Sequence, residues 1–185
     1  PHTGPFGIEH QVADLVGVLT TEPARSVVVG HSYGGNVALA AAQRRPDLVA
    51  GVVVYESPLS WLDWWPGSTA GANAREWMHE PSMAAERFMR SLIGDSRWDK
   101  LPESTRAARR SEGPALIGEL DDLGRNEPWS PDDVRVPVLA MCGEHAKVHH
   151  LQATDLIADW FGTEPVVLRG AGHFGPNTHP DEMGD

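Results

Sequence analysis

A sharp turn between a strand and a helix constrains this chain more than any other feature. The segment reads VVVGHSYGGNVALAAA from Val27 to Ala42. Its first part is a valine-rich run, which is typical of a strand buried on both faces of a parallel sheet. Residues 35–45 have helical spacing, and Pro46 ends that helix. A chain that turns abruptly at Ser32 needs glycines beside the apex, because side chains there would collide with the strand or the helix.

The elements around this turn predict an α/β fold. Residues 8–19 carry apolar side chains at helical spacing. A second apolar run covers residues 48–55, so strand, helix and strand form a βαβ unit with a right-handed crossover. The alternation resumes later, with strands at 136–142 and 165–168 around a helix at 151–161. We therefore expect a mostly parallel sheet flanked by helices.

A long segment without strand signals interrupts the alternation. It predicts amphipathic helices at 82–94 and 103–124, and its first half holds five tryptophans: Trp61, Trp64, Trp65, Trp77 and Trp98. We expect residues 1–57 and 135–185 to form the sheet domain, and 58–134 to form a helical cap that shapes an apolar pocket. Packing between the helices of this cap is the expected role of most of the tryptophans.

Composition excludes several classes of partner. The formal net charge is −11, which leaves no basic stripe to hold a nucleic acid or an anionic membrane surface. No apolar run approaches the ~20 residues of a membrane helix. Cys142 is the single cysteine, so no internal disulfide can form, and the chain fits a reducing compartment such as the cytoplasm. We expect a small-molecule substrate and no cofactor.

The turn itself matches a nucleophile motif. Gly30-His31-Ser32-Tyr33-Gly34 has the form G-x-S-x-G, and the strand before it and the helix after it are the context that this motif requires. The Tyr33 amide, at the start of the helix, is placed to donate to an oxyanion. The alternative interpretation is a glycine-rich turn that binds a phosphate through its amides. No lysine follows the glycines, which disfavours a P-loop.

A serine of this kind needs a neighbouring base, and the sequence offers several histidines. His173 is the main candidate because it follows the last predicted strand, in the segment AGHFG. His179 competes, but its HPDE setting predicts the start of a further helix, and we expect His31 to pack structurally within the turn. A metal-binding pair is an alternative interpretation of three further histidines, His145, His149 and His150. That segment has no helix signal and no carboxylate at a recognised ligand spacing, so we expect no metal site.

Together these segments resemble the α/β-hydrolase fold family, in its capped, esterase-like bacterial form. The resemblance is carried by VVVGHSYGGNVALAAA, VVVYESP, VPVLAMCGE and GAGHFGPNTHPDE, and it spans essentially the whole chain. It implies a serine hydrolase for a small ester or a related acyl compound, with Ser32 as nucleophile and His173 as base. Serine at the turn disfavours dehalogenase and epoxide hydrolase chemistry, which need a carboxylate there. A non-catalytic ligand-binding or pseudo-hydrolase protein of the same fold is the alternative.

The acid departs from the usual family pattern. The family commonly places it after the penultimate strand as G-x-x-D, and here Ala146 occupies the aspartate position. Other branches of the family carry the acid after the strand that follows the turn helix, which in this chain is Glu56. We expect Glu56 to accept the second imidazole N–H of His173 and to fix its tautomer. Glu144 and Asp155 are the alternatives.

The start of the chain also departs from the family pattern. The family's sheet has strands before the nucleophile strand, and the 25 residues that precede Ser26 hold one helix and no convincing strand. The strand at Ser26 would then be an unpaired apolar edge, which soluble proteins avoid. The second oxyanion donor and the closing helix of the family are not evident either. We expect the missing strands to come from an N-terminal segment or a partner chain.

Overall fold

The computed structural model describes residues 6–184. The chain divides into two compact units, which are described separately. The helical unit contains residues 61–126 and the N-terminal residues up to His10, and the sheet unit contains 11–60 and the residues from Glu127 onwards. The assignment of residues 58–134 as a cap stays a prediction.

The sheet unit is built around four parallel strands in the order β1-β2-β3-β4: β1 Ser26–His31, β2 Val49–Tyr55, β3 Val138–Gly143 and β4 Val166–Leu168. The register aligns their carboxyl ends, since His31 lies opposite Tyr55 and Tyr55 lies opposite Met141. Gly143 in turn lies opposite Leu168. Residues that directly follow these strands therefore meet at one edge of the sheet, as is usual for ligand sites in α/β folds.

Helices connect the strands and make up most of the remaining described structure. They are α1 Ile8–Leu19, α2 Tyr33–Arg44, α3 Ala70–Arg75, α4 Pro81–Ile93, α5 Asp95–Lys100, α6 Glu103–Ser111, α7 Gly113–Arg125, α8 Val148–Phe161, α9 Gly175–Thr178 and α10 Pro180–Gly184. Among the described residues, the segment between β2 and β3 holds helices and no strand, as the sequence predicts. None of the described helices combines the length and the apolarity that crossing a membrane requires.

The α/β prediction is confirmed, and the predicted burial of β1 on both faces is wrong. Val27 and Val29 of β1 are 62% and 60% exposed, although a strand buried on both faces was expected. Val167 of β4 is 52% exposed as well. β1 and β4 are the two edges of the described sheet, and alternate side chains of an edge strand lie on a face that its neighbours do not cover. A valine run cannot distinguish a central strand from an edge strand.

A polar contact ties α2 to the chain that leaves β2. Asn36 is fully buried, and its side-chain amide donates to the Pro58 carbonyl at 2.9 Å. Its amide oxygen accepts from the Trp129 indole N–H, also at 2.9 Å. Because both ends of the amide are bound, the side chain is held without an unsatisfied polar atom. This network fixes the backbone just beyond the carboxyl end of β2.

Candidate active site

Ser32 lies at the apex of the turn, in a strained backbone conformation. It has φ 54° and ψ −127°, which a residue with a side chain rarely adopts. Its amide donates to the Tyr55 carbonyl at 2.9 Å, and its carbonyl accepts from the Gly35 amide at 2.9 Å. Helix α2 begins at the next residue, Tyr33. The serine is therefore held at the carboxyl edge of the sheet and directly before a helix N-terminus.

The glycines beside the serine do not all serve the same purpose. A Cβ on Gly30 would lie 2.5 Å from the Gly34 carbonyl oxygen, and one on Gly35 would overlap the Ser57 hydroxyl. A Cβ on Gly34 would meet nothing within 4 Å. The expectation that side chains at the flanking glycines would collide is therefore right for Gly30 and Gly35 and wrong for Gly34. The close approach at Gly35 lets α2 pack against the residues that follow β2.

Glu56 follows β2 and is fully buried. One carboxylate oxygen, Oε2, lies 2.7 Å from Nδ1 of His173, and the other, Oε1, accepts from the Gly143 amide at 3.0 Å. The Glu56 amide donates to the Met141 carbonyl at 2.9 Å, and the residue has a positive φ of 48°. Both oxygens are bound by groups from other strands or loops, so the carboxylate is fixed in direction. The structure brings Glu56 and His173 together as expected.

The loop that carries His173 rests on the ends of β1 and β2. The Tyr55 hydroxyl, on a fully buried ring, donates to the Gly172 carbonyl at 2.8 Å. A Cβ on Gly175 would overlap that hydroxyl, so glycine is needed at this close approach. Nε2 of His31 lies 2.7 Å from the His173 carbonyl oxygen, and since a carbonyl can only accept, His31 carries its proton on Nε2. His31 therefore positions the loop through its side chain, in agreement with the expected structural role.

Two further histidine rings lie against the His173 ring. His31 is 4.8 Å from it between centroids at an interplanar angle of 49°, and His150 is 4.8 Å from it at 27°. Burial, followed by the proximity of His173, lowers the pKa of both His31 and His150, to about 2 for His150. Both flanking rings are therefore neutral near pH 7, since each pKa lies below its usual 6.5.

The segment around these residues is more ordered than its sequence indicates. Helix α8 begins at Val148, so His149 and His150 lie in its first turn. The expectation that no helix covers this segment is wrong. Its first turn lacks a side-chain cap and lacks an acidic residue, the two signals by which a helix start is recognised.

Glu56, His150 and His173 each offer one potential metal ligand, and these atoms lie within 4.8 Å of one another. One observation favours a proton-transfer site over a metal centre. The 2.7 Å contact between Glu56 and His173 is a hydrogen-bond distance, shorter than the roughly 3.4 Å that separates two ligands on a tetrahedral ion with bonds of about 2.1 Å.

The competing candidates lie elsewhere. Glu144 is exposed, and its Oε2 accepts from the Gly170 amide at 2.8 Å, so it braces the loop after β4. Asp155 is an exposed residue of α8. Nδ1 of His179 lies 2.8 Å from the Thr178 hydroxyl. In the described part of the chain, the recorded ring nitrogen contact of His173 is with Glu56 rather than with either competing carboxylate.

The serine and the histidine are not yet joined in this structure. Within residues 6–184, no hydrogen bond links the Ser32 hydroxyl to the His173 ring. Ser32 directly follows His31, whose ring contacts His173, so Ser32 and His173 lie at the same edge of the sheet. In enzymes without bound substrate such a bond is often long or poorly aligned and tightens in the substrate complex. Sequence reasoning missed the contact of Tyr55 with the His173 loop and that of His150 with the His173 ring, for which the sequence carries no motif.

Comparison with known proteins agrees with the fold. The family model described as "Alpha/beta hydrolase family" matches residues 1–185. A pimeloyl-[acyl-carrier protein] methyl ester esterase from Aromatoleum aromaticum is 29% identical over 182 residues, covering 86% of this chain and 71% of that protein.

Two solved structures share the fold. An esterase from Thermogutta terrifontis has a TM-score of 0.69 at 23% identity, covering 97% of this chain and 70% of its own. A 2-hydroxy-6-oxo-6-phenylhexa-2,4-dienoate hydrolase from Rhodococcus sp. strain RHA1 has a TM-score of 0.70 at 20% identity. The match covers 100% of this chain and 72% of that protein. Because the family model matches the full sequence, this chain is an enzyme of the alpha/beta hydrolase family.

Proposed function

We propose that the chain is a serine hydrolase that cleaves a small ester or a related acyl compound through Ser32, His173 and Glu56. The observation that carries the proposal is the 2.7 Å contact between Nδ1 of His173 and Oε2 of the fully buried Glu56. A carboxylate at Nδ1 holds the proton there and leaves Nε2 as the basic nitrogen. Ser32 lies at a strained turn at the same edge of the sheet and directly follows His31, whose ring contacts His173.

The reaction would proceed through an acyl-enzyme. The Ser32 oxygen bonds to the acyl carbon while its proton passes to Nε2 of His173. The leaving alcohol takes that proton as the carbon–oxygen bond of the ester breaks. Water then attacks the acyl carbon and gives a proton to the same nitrogen, which returns it to Ser32 as the carboxylic acid leaves. Glu56 stabilises the imidazolium that forms in each half of the reaction.

The start of α2 supports the developing negative charge. Tyr33 is the first residue of this 12-residue helix and directly follows the nucleophile. Its amide donates towards the position of the substrate oxyanion, where the partial positive charge of the helix N-terminus adds to the stabilisation. Removing one such donor in an oxyanion hole typically costs about 10²–10³ in turnover.

The substrate class rests on both the site and the relatives. One relative is named an esterase, and the proposed nucleophile is a serine rather than a carboxylate. The net charge of −11 supports a small-molecule substrate over a nucleic acid. The single cysteine, Cys142, is buried and unpaired, which supports the cytoplasm as location.

A fluorophosphonate probe tests the proposal directly, because it reacts with an activated serine. Wild-type protein should be labelled stoichiometrically at Ser32, as located by mass spectrometry of the labelled peptide. Ser32→Ala and His173→Ala should abolish labelling. His179→Ala is the matched control, since this histidine follows the same loop and contacts Thr178 rather than Glu56, and it should label like wild type.

The same experiment separates the enzyme from a non-catalytic binder of this fold. Absence of labelling in folded wild-type protein would contradict the proposal and favour the binder. Equal labelling of the Ser32→Ala variant would place the reactive serine elsewhere. A panel of esters with increasing acyl length would then define the substrate, with kcat/KM as the measured quantity.

A further inference from the structure

His150 occupies a position that the proposed mechanism does not use. It lies in the first turn of α8, and its ring stacks on the His173 ring at 4.8 Å with 27° between the planes. The His31 ring contacts the same imidazole at 4.8 Å and 49°. His149 contacts His150 in turn, at 4.5 Å between centroids. The ring of the proposed base thus contacts histidine rings from two different elements, β1 and α8.

The contact to Glu56 does not by itself fix the His173 ring. One hydrogen bond at Nδ1 still allows the ring to pivot about that atom, which would swing Nε2 away from the serine. A flat side chain stacked on the ring face restricts this pivot. Because misplacing a reacting group by about 1 Å can cost up to ~10²-fold in rate, the restriction matters for turnover.

We propose that His150 is a positioning residue for His173: by stacking, it restricts the ring to an orientation in which Nε2 serves Ser32. This inference rests on the proposed function, in which His173 is the base. His150 acts through its flat ring and not through its charge. It is therefore distinct from the members of the triad, each of which exchanges or binds a proton.

The surroundings of His150 favour a neutral ring. Besides the Glu56 carboxylate, which lies within 4.8 Å, the nearby titratable groups are cationic or become so on protonation: His173, His149, Lys147 and His31. Burial and then His173 lower the pKa of His150 to about 2. When His173 becomes an imidazolium during the reaction, a second cation stacked on it would oppose that charge. A ring that stays neutral can stack on His173 without this cost.

Three substitutions separate the flat ring from its volume and its nitrogens. His150→Phe keeps an aromatic plane and stays uncharged at any pH. His150→Leu fills a similar volume without a plane, and His150→Ala removes both. His145→Ala is the control, since His145 is exposed and contacts the loop through its backbone amide. The measurements are kcat and KM on one ester, with a thermal melt to show that each variant is folded.

We expect His150→Phe to keep kcat within about threefold of wild type, and His150→Leu and His150→Ala to lower it about tenfold with KM unchanged. The control should match wild type. The inference is overturned if folded His150→Leu keeps wild-type kcat, or if His150→Phe is as slow as His150→Leu. If His150→Ala does not fold, the comparison of Phe with Leu still decides.

The failure of this inference differs from the failure of the proposed function. Wild-type labelling at Ser32 that is lost in His173→Ala upholds the proposed function, whatever the His150 variants do. If wild type is labelled and all His150 variants turn over normally, His150 has no positioning role and the triad assignment stands. If the wild type is active and His173→Ala turns over normally as well, His173 is not the base. The premise of the inference is then lost.

Discussion

At the scale of single residues, the proposed nucleophile and the proposed acid share an uncommon backbone conformation. Ser32 and Glu56 are the non-glycine residues with positive φ in the described part of the chain, at 54° and 48°. Each follows a strand directly, and β1 and β2 are neighbours in the sheet. Such conformations cost about 1–3 kcal/mol each and persist where the surroundings enforce them. Their pairing at one sheet edge supports a functional site.

The two candidate acids give a clean comparison. Glu56→Gln replaces a fully buried carboxylate at Nδ1 of His173 with a neutral amide, which no longer stabilises an imidazolium or fixes its tautomer. We expect kcat to fall by about 10³–10⁴. Glu144→Gln alters an exposed side chain that accepts a hydrogen bond from the Gly170 amide, and it should keep kcat within a few fold. The assignment is wrong if Glu56→Gln keeps near-wild-type turnover while Glu144→Gln is inactive.

The sequence predicts those parts of the site that follow from local chemistry. Ser32 is marked by its motif, His173 by its place after the last strand, and Glu56 by a charge at the end of an apolar run. The contacts of His150 depend on how α8 docks against the loop after β4, which no local pattern encodes. The same is true of the Ser57 hydroxyl, whose proximity to Gly35 follows from the packing of α2 on β2.

At the scale of elements, this packing of α2 can be tested with two adjacent glycines. Gly35→Ala would place a Cβ on the Ser57 hydroxyl, and overpacking of this kind typically costs about 1–3 kcal/mol. Gly34→Ala points into open space and should leave the free energy of unfolding unchanged or raise it by up to about 1 kcal/mol, as alanine favours helix. Urea denaturation of both variants measures the difference.

A second substitution checks the cause. Ser57→Ala in the Gly35→Ala background removes the overlapping hydroxyl and should recover part of the lost stability. If Gly34→Ala proves as destabilising as Gly35→Ala, the close packing against the residues after β2 is not specific to Gly35. Retention of full stability by Gly35→Ala would contradict the close approach altogether.

Element types are predicted well here, whereas their surroundings are not. Predicted strand and helix positions agree with β1 to β4 and with α1, α2 and α8 to within a few residues, because apolar periodicity is local. Exposure of Val27 and Val29 differs from the prediction because it depends on which strands lie beside β1. Strand order is a long-range property, and an apolar run does not indicate which strands lie beside it in the sheet.

At the scale of the whole molecule, partly buried histidines link folding stability to pH. Burial lowers the pKa values of His31, His149 and His150, with the proximity of His173 lowering each further. Below their usual value of 6.5, the unfolded chain binds protons that the folded chain does not, so the free energy of unfolding falls as pH decreases from about 6.5. The contribution of His150 is lost progressively towards its folded pKa of about 2.

The slope of this dependence can be assigned to one residue. His150→Phe should reduce the slope between pH 6.5 and 5 by up to about 1.4 kcal/mol per pH unit, the value for one proton. His150→Ala should reduce the slope by the same amount, although its free energy of unfolding differs from that of His150→Phe. Urea denaturation at several pH values in this window measures both, above the range where most carboxylates titrate. A wild-type slope in both variants would show that His150 has the same pKa in the folded and the unfolded protein.

The backbone at Ser32 has a consequence for how this sequence would change over generations. Glycine adopts φ 54° without the penalty that serine bears there, so replacing Ser32 by glycine relaxes the turn and removes the hydroxyl in one step. Selection for durability alone would favour that replacement, and only selection for chemistry opposes it. A lineage released from the need for activity should therefore lose this serine early, while the fold around it survives.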